Sequence, residues 1–177
     1  MKKYILLFIA LLLPVLTAGA DSPQKKKKAD KHTAEWRYEL EAYSSPYRGA
    51  CNVKVWSYSR DINIARQQAT KNAVHGALFR GIPANPEKRI NAMPPVIDDL
   101  MAEENNKAFF DKFFEDGGPY LRFATKTTSG GSDEILKYGK NDYKYKVGVI
   151  VTVQYDELRK YMEEQGLRES LASGFAK

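Results

Sequence analysis

The chain is expected to fold as α+β, a mostly antiparallel sheet of about four strands with helices packed on one face, in the order β-β-α-α-β-β-α. Three observations carry that expectation. Tyr143 to Tyr155 (YKYKVGVIVTVQY) sets Tyr143, Tyr145, Val147, Val149, Val151, Val153 and Tyr155 on one face at a spacing of two, as a strand does. Trp36, Tyr38, Leu40 and Ala42 alternate in the same way with Glu35, Arg37, Glu39 and Glu41. Ala65, Ala69, Ala73, Gly76 and Ala77 recur at helical spacing, a small-residue stripe that lets a helix lie close on a sheet.

Taken in order, the chain opens with Lys2 and Lys3, an apolar run from Tyr4 to Leu16, and Ala18-Gly19-Ala20. That pattern reads as a signal peptide over residues 1–20. Its apolar run is shorter than the ~20 residues a membrane-spanning helix needs. No cysteine stands at the expected cleavage point, so no lipid anchor is expected there. Residues 21–33 hold Lys25, Lys26, Lys27 and Lys28 in a row and no apolar period, and they read as a disordered leader. Those lysines suit a weak contact with an anionic surface, although a solubilising spacer is the plainer reading. Residues 34–177 read as a single domain.

Ala34 to Tyr43 is expected to be a half-buried strand, followed by a turn at Ser44, Ser45, Pro46 and Gly49 and a second strand over Asn52 to Ser59. Val53, Val55 and Ser57 share one face of that second strand; Lys54, Trp56 and Tyr58 share the other. With the valines inward, the Trp56–Tyr58 pair beside Lys54 forms a candidate partner-binding patch, against the plainer reading that a second layer covers it. Asp61 is an N-cap for a helix that runs to about Arg80 and stops at Gly81 and Pro83. Residues 82–95, rich in proline, read as a loop. A second helix is expected from about Pro95 or Val96 to Asp116, where Phe109, Phe110, Phe113 and Phe114 form two i,i+4 pairs. Core is the plainer role for them. Because one sheet face does not obviously absorb all four rings, Phe109 and Phe113 join the partner-binding candidates. Pro119 to Thr128 reads as a third strand, Ser129 to about Asn141 as a polar excursion, and Tyr143 to Tyr155 as a long strand with a bend or bulge at Gly148. Asp156 is expected to cap a last helix, Glu157 to Gln165.

The chemistry-bearing patterns are sparse. No glycine-rich phosphate loop, G-x-S-x-G, H-E-x-x-H or C-x-x-C occurs, so no catalytic residue, metal site or cofactor is expected, and the chain reads as a non-enzyme. Acids at Asp98, Asp99, Glu103 and Glu104 fit a helix start, where the macrodipole favours them. His75 lacks a companion at ligand spacing and reads as structural. Cys51, the one cysteine, reads as a buried inert thiol, with a nucleophile or an intermolecular disulfide as the other reading. The formal charge is +6; Lys2 and Lys3 supply two of those charges and the leader's five lysines against two aspartates supply three, leaving about +1 from Ala34 onward. That balance speaks against a nucleic-acid partner, which needs basic residues concentrated on a folded face.

The segments VKVWSYSR (Val53 to Arg60), ARQQATKNAVHGALFRG (Ala65 to Gly81) and YKVGVIVTVQYDELRK (Tyr145 to Lys160) together resemble a group of exported envelope proteins of Gram-negative anaerobic bacteria. The order of a strand, an Ala-Arg-x-x-Ala helix and a late valine-rich strand is more distantly similar to small periplasmic α/β modules such as the N-terminal domain of the flagellar-assembly T protein. The resemblance implies a periplasmic or surface accessory role and carries no catalytic residue. The functional expectation is therefore a non-catalytic adaptor that binds another envelope protein or cell-wall component. Its alternatives are a small glycan- or peptide-binding domain using tyrosines and tryptophan near residues 82–95 and 129–141, and a hydrolase built on Cys51 and His75.

Overall fold

A computed structural model describes residues 36–127, 133–137, 139 and 144–169. The expected signal peptide (1–20) and lysine-rich leader (21–33) lie outside the described residues. The architecture is α+β, with strands β1 (Tyr38–Tyr47), β2 (Ala50–Ser59), β3 (Ala124–Lys126), β4 (Glu134–Lys137) and β5 (Tyr145–Val153) in one antiparallel sheet. Four helices join them: α1 (Ile62–Phe79), α2 (Ala102–Asn105), α3 (Lys107–Phe113) and α4 (Tyr155–Glu164).

The spatial order is β1-β2-β5-β3, and β4 also pairs with β5. Both short strands run along the same edge: Ala124 to Lys126 pair with Val153 to Val151, and Glu134 to Lys137 pair with Gly148 to Tyr145. They are thus two halves of one interrupted strand. The sheet has five strands where about four were expected, because β4 lies inside the stretch read as a polar excursion. Its side chains are exposed, so no apolar alternation marks it in the sequence.

The β1–β2 connection is tighter than the sequence suggested. Ser44 to Pro46 remain in β1, which carries register shifts between Ala42 and Ser44 and between Ser44 and Tyr47. The reversal is made by Arg48 and Gly49 alone, with φ of 49° and 76°, the left-handed pair that a two-residue hairpin turn requires. Gly148, expected to bend its strand, keeps continuous register with β2. Its use is steric instead: a Cβ there would stand 2.8 Å from the Trp56 ring. β1 also starts later than expected, at Tyr38, because Trp36 has a φ of 43° and leaves the strand direction.

Helix α1 starts where Asp61 predicts; the Asp61 carboxylate accepts the backbone N–H of Asn63 at 2.8 Å and of Ile64 at 3.4 Å. Its small-residue stripe lies buried on β2 and β5, and a Cβ at Gly76 would collide with Leu40. A buried hydrogen bond from Asn72 to the Ser57 hydroxyl, 2.9 Å, ties the helix to β2. At the other end, the orphan carbonyls of Ala77 and Leu78 accept from the N–H groups of Val96 and Ile97, both at 2.9 Å. That pairing keeps residues 96–97 out of a helix. The second helix therefore cannot begin at Pro95 or Val96, and it appears only as α2 and α3, broken at Asn106 (φ −116°, ψ 31°).

Two further boundaries move. Pro119–Arg122 forms a 3₁₀ turn before β3, so the third strand is three residues long. Helix α4 starts at Tyr155, two residues earlier than expected, and Asp156 lies inside it without serving as the cap. Leu158 and Met162 of α4 are fully buried, and Tyr161 packs on Phe113 and Phe123. The helices and the 3₁₀ turn thereby share the face that carries Val53, Val55, Val147, Val149, Val151 and Val153. Each of those valines contributes on the order of 1.5–3 kcal/mol on burial.

Candidate functional site

The opposite face of the sheet presents Trp56, Tyr58 and Lys54, the three strand residues singled out from alternation, and the structure brings them together. Trp56 stands opposite Glu39 on β1 and Gly148 on β5; Tyr58 stands opposite Lys146. The ammonium groups of Lys54 and Lys146 lie 4.5 Å and 5.1 Å from the Trp56 ring centroid, within cation–π range. Lys146 reaches one oxygen of Glu39 at 2.7 Å, and the Tyr58 hydroxyl donates to the other. Lys54 pairs with Glu134 on β4. The hydrogen bonds from Lys146 and Tyr58 hold the Glu39 carboxyl below its usual pKa, while burial and the bond to Glu39 raise the Tyr58 phenol. The result is one aromatic ring at the centre of a lattice of alternating charge.

Phe109 and Phe113 part company. Phe113 is 1% exposed, enclosed by Phe114, Phe123 and Tyr161, and so has no surface to offer a partner. Its place on α3 turns it toward Phe123 and Tyr161. This corrects its candidacy as a partner-binding residue. Phe109 is half-buried against Phe110, Phe113 and Tyr161.

A second constellation escaped sequence reading. Trp36, turned out of β1 by its left-handed backbone, stacks on the His75 ring of α1 with centroids 3.5 Å apart and planes 20° from parallel. The Trp36 indole N–H donates to Glu103 Oε1 at 3.0 Å, and His75 Nε2 lies 3.3 Å from Glu103 Oε2. On the other side of the imidazole, Nδ1 is 2.6 Å from the Tyr38 hydroxyl. Burial lowers the His75 pKa and so keeps the ring neutral, and the His75 contact holds the Glu103 carboxyl ionised. An ionised carboxylate only accepts, so Nε2 carries the proton and Tyr38 donates to Nδ1. Arg80 completes the frame by donating to the Trp36 carbonyl at 3.0 Å. The chemical consequence is a fixed carboxylate, Glu103, oriented by a histidine and a tryptophan.

Glu103 and Trp36 form part of the wall of a recess of about 650 Å³. Phe110 and Phe114 line it as well, and its rim carries Glu104, Asp111, Glu115 and Asp116 with Lys71 and Lys107. Lys107 is committed to Asp111, at 2.6 Å and 2.7 Å from its two oxygens. The sequence did hold one signal for this recess, the run of acids in residues 98–104, but the helix expected there explained them away.

Cys51 is buried, and burial with the nearby Asp156 pushes its thiol up to about 12. Both ring nitrogens of His75 are engaged elsewhere, and the Cys51–His75 pairing is not assembled. Among the described residues, no group of three or more His, Cys, Asp or Glu is arranged to hold a metal ion, and no helix is long and apolar enough to cross a membrane. The run Lys25 to Lys28 lies outside the described residues. What the fold and its surfaces define is an α+β module with helices on one sheet face and an aromatic, charge-laced lattice on the other. No known family model, curated protein or solved structure matches the chain.

Proposed function

We propose that the protein is a non-catalytic accessory module of the bacterial envelope that binds another envelope component through the sheet face centred on Trp56. The observation that carries this reading is that the helices pack on one face of the sheet, while Trp56 lies on the other over the space left by Gly148. A large aromatic held between two ammonium groups offers area at little entropic cost, and the surrounding charges set orientation. Export and periplasmic residence belong to the same proposal and rest on residues 1–20. Crosslinking in intact cells, followed by capture of the tagged protein, tests it. One recurrent envelope partner, lost in Trp56→Ala and Tyr58→Ala but kept in Leu100→Ala, an exposed turn residue just before α2, is the expected result. Undiminished capture by Trp56→Ala and Tyr58→Ala overturns the assignment of the surface.

A second reading, a small glycan- or peptide-binding domain, draws support from a recess of about 740 Å³ between β1 and the proline-rich loop, lined by Tyr38, Arg80, Pro83 and Pro94. A ligand held there raises the melting temperature by mass action, so a thermal-shift screen against cell-wall fragments separates the two.

A further inference from the structure

We propose that the aromatic-floored recess beside Trp36 is the docking site of this chain's own lysine run, Lys25 to Lys28. The inference is independent of the sheet-face reading. Three features of the groove select a lysine-rich segment over other occupants. Its floor is aromatic, through Trp36, Phe110 and Phe114, and suits the four-carbon stem of a lysine. Its rim carries four carboxylates, with Glu103 a fifth in the wall, against two lysines, and one of those lysines is already held by Asp111. Glu104, Glu115 and Asp116 on that rim are exposed, so an arriving ammonium can reach them. Glu103 is fixed in place by His75 and Trp36, so one acceptor is oriented before any ammonium arrives.

Chain geometry supplies the occupant. Trp36 is a wall of the groove, and the lysine-bearing segment is joined covalently to it a few residues upstream. Lys28 lies eight residues upstream of Trp36 and Lys25 eleven, which at roughly 3.3 Å per residue gives the lysine run a reach of about 26–36 Å, enough to return over the recess. Covalent attachment makes the contact intramolecular, so a set of individually weak ammonium–carboxylate pairs acts at high effective concentration. The backbone of Trp36 is turned by its left-handed φ and clamped through its carbonyl by Arg80, so the attachment point is itself held beside the groove.

The test uses the full chain, its Lys25→Gln/Lys26→Gln/Lys27→Gln/Lys28→Gln variant, and a labelled synthetic peptide of residues 21–33. The peptide is expected to bind the glutamine variant about tenfold or more tighter than the native chain, whose own lysines occupy the groove. That binding is expected to weaken as salt is raised, and to be lost when Glu104→Gln, Glu115→Gln and Asp116→Asn are added. Those three positions are exposed, so the fold tolerates the change, and circular dichroism checks it. Carbodiimide coupling of the native chain, mapped by mass spectrometry, should join Lys25 to Lys28 to the rim carboxylates. Equal peptide binding to both proteins, binding indifferent to the three rim substitutions, or coupling spread over acids outside the groove would each overturn the proposal. Displacement of the peptide by a free diamine with no difference between native and glutamine chains overturns it as well, and assigns the groove to a diffusible amine.

Discussion

The Trp56 ring lies against the backbone of Gly148 on the neighbouring strand, so close that a Cβ at that position would stand 2.8 Å from Cζ3 and 2.9 Å from Cε3. Gly148 is thus the seat of the one tryptophan on the outer face. A rigid ring cannot slide aside as a flexible side chain does. Gly148→Ala is expected to displace Trp56 and cost about 1–3 kcal/mol, through overpacking. Chemical denaturation reads the cost, and a red-shifted Trp56 emission in a Trp36→Phe background reads the displacement; an unchanged midpoint and spectrum would contradict the packing described.

The small-residue stripe of α1 makes a matching prediction on the inner face. Ala69 and Ala73 are buried in the core between α1 and the sheet. Leucine at either position should lower stability by about 1–3 kcal/mol. Unaltered thermal unfolding of both variants would show that the helix stands further from the sheet.

Acid is expected to weaken the fold through His75. Burial depresses its pKa in the native state, so on lowering pH the unfolded chain takes up the proton first, and stability rises with pH across that window. The effect begins below about 6.5 and grows as pH falls toward the depressed native value. Glu103, whose pKa is lowered chiefly by its bond to His75, adds a loss of the same sign at more acidic pH. Urea midpoints of the native chain should fall between pH 7.5 and pH 5.5, whereas His75→Gln should show a flatter profile there. A slope that is the same in both proteins would exclude His75 as its source.

Cys51 should be inert in the folded protein. Its thiol is buried and pushed up to about 12, so little thiolate exists at neutral pH. A thiol reagent is expected to label the chain only after denaturation. Rapid native labelling would return Cys51 to the functional residues.

Phe113 and Phe109 should separate under truncation. Phe113→Ala empties a site enclosed on all sides and is expected to cost about 3–5 kcal/mol, while half-buried Phe109→Ala should cost clearly less. Comparable losses for the two would place Phe109 as deep in the core as Phe113.

These residues also mark how far the chain could be read without its fold. Alternation alone places Val53, Val55 and Ser57 inward and Lys54, Trp56 and Tyr58 outward, and Asp61 alone announces α1, because both signals are local and repeat within a few residues. The α+β class follows from them. What tertiary structure decided lies where distant groups compete for the same backbone or side chain. Residues 96–97 are tied to the carbonyls at the end of α1, which overrides the helical pattern that follows them. β4 forms on the exposed edge of β5 without an apolar period of its own. Trp36, in an unbroken alternation, abandons the strand for His75, 39 positions along the chain, and for Glu103, 67 along, and only that meeting turns three unremarkable residues into a fixed carboxylate beside an aromatic groove. Local periodicity reports which face a residue takes within its own element; it carries no information about which other element will meet that face.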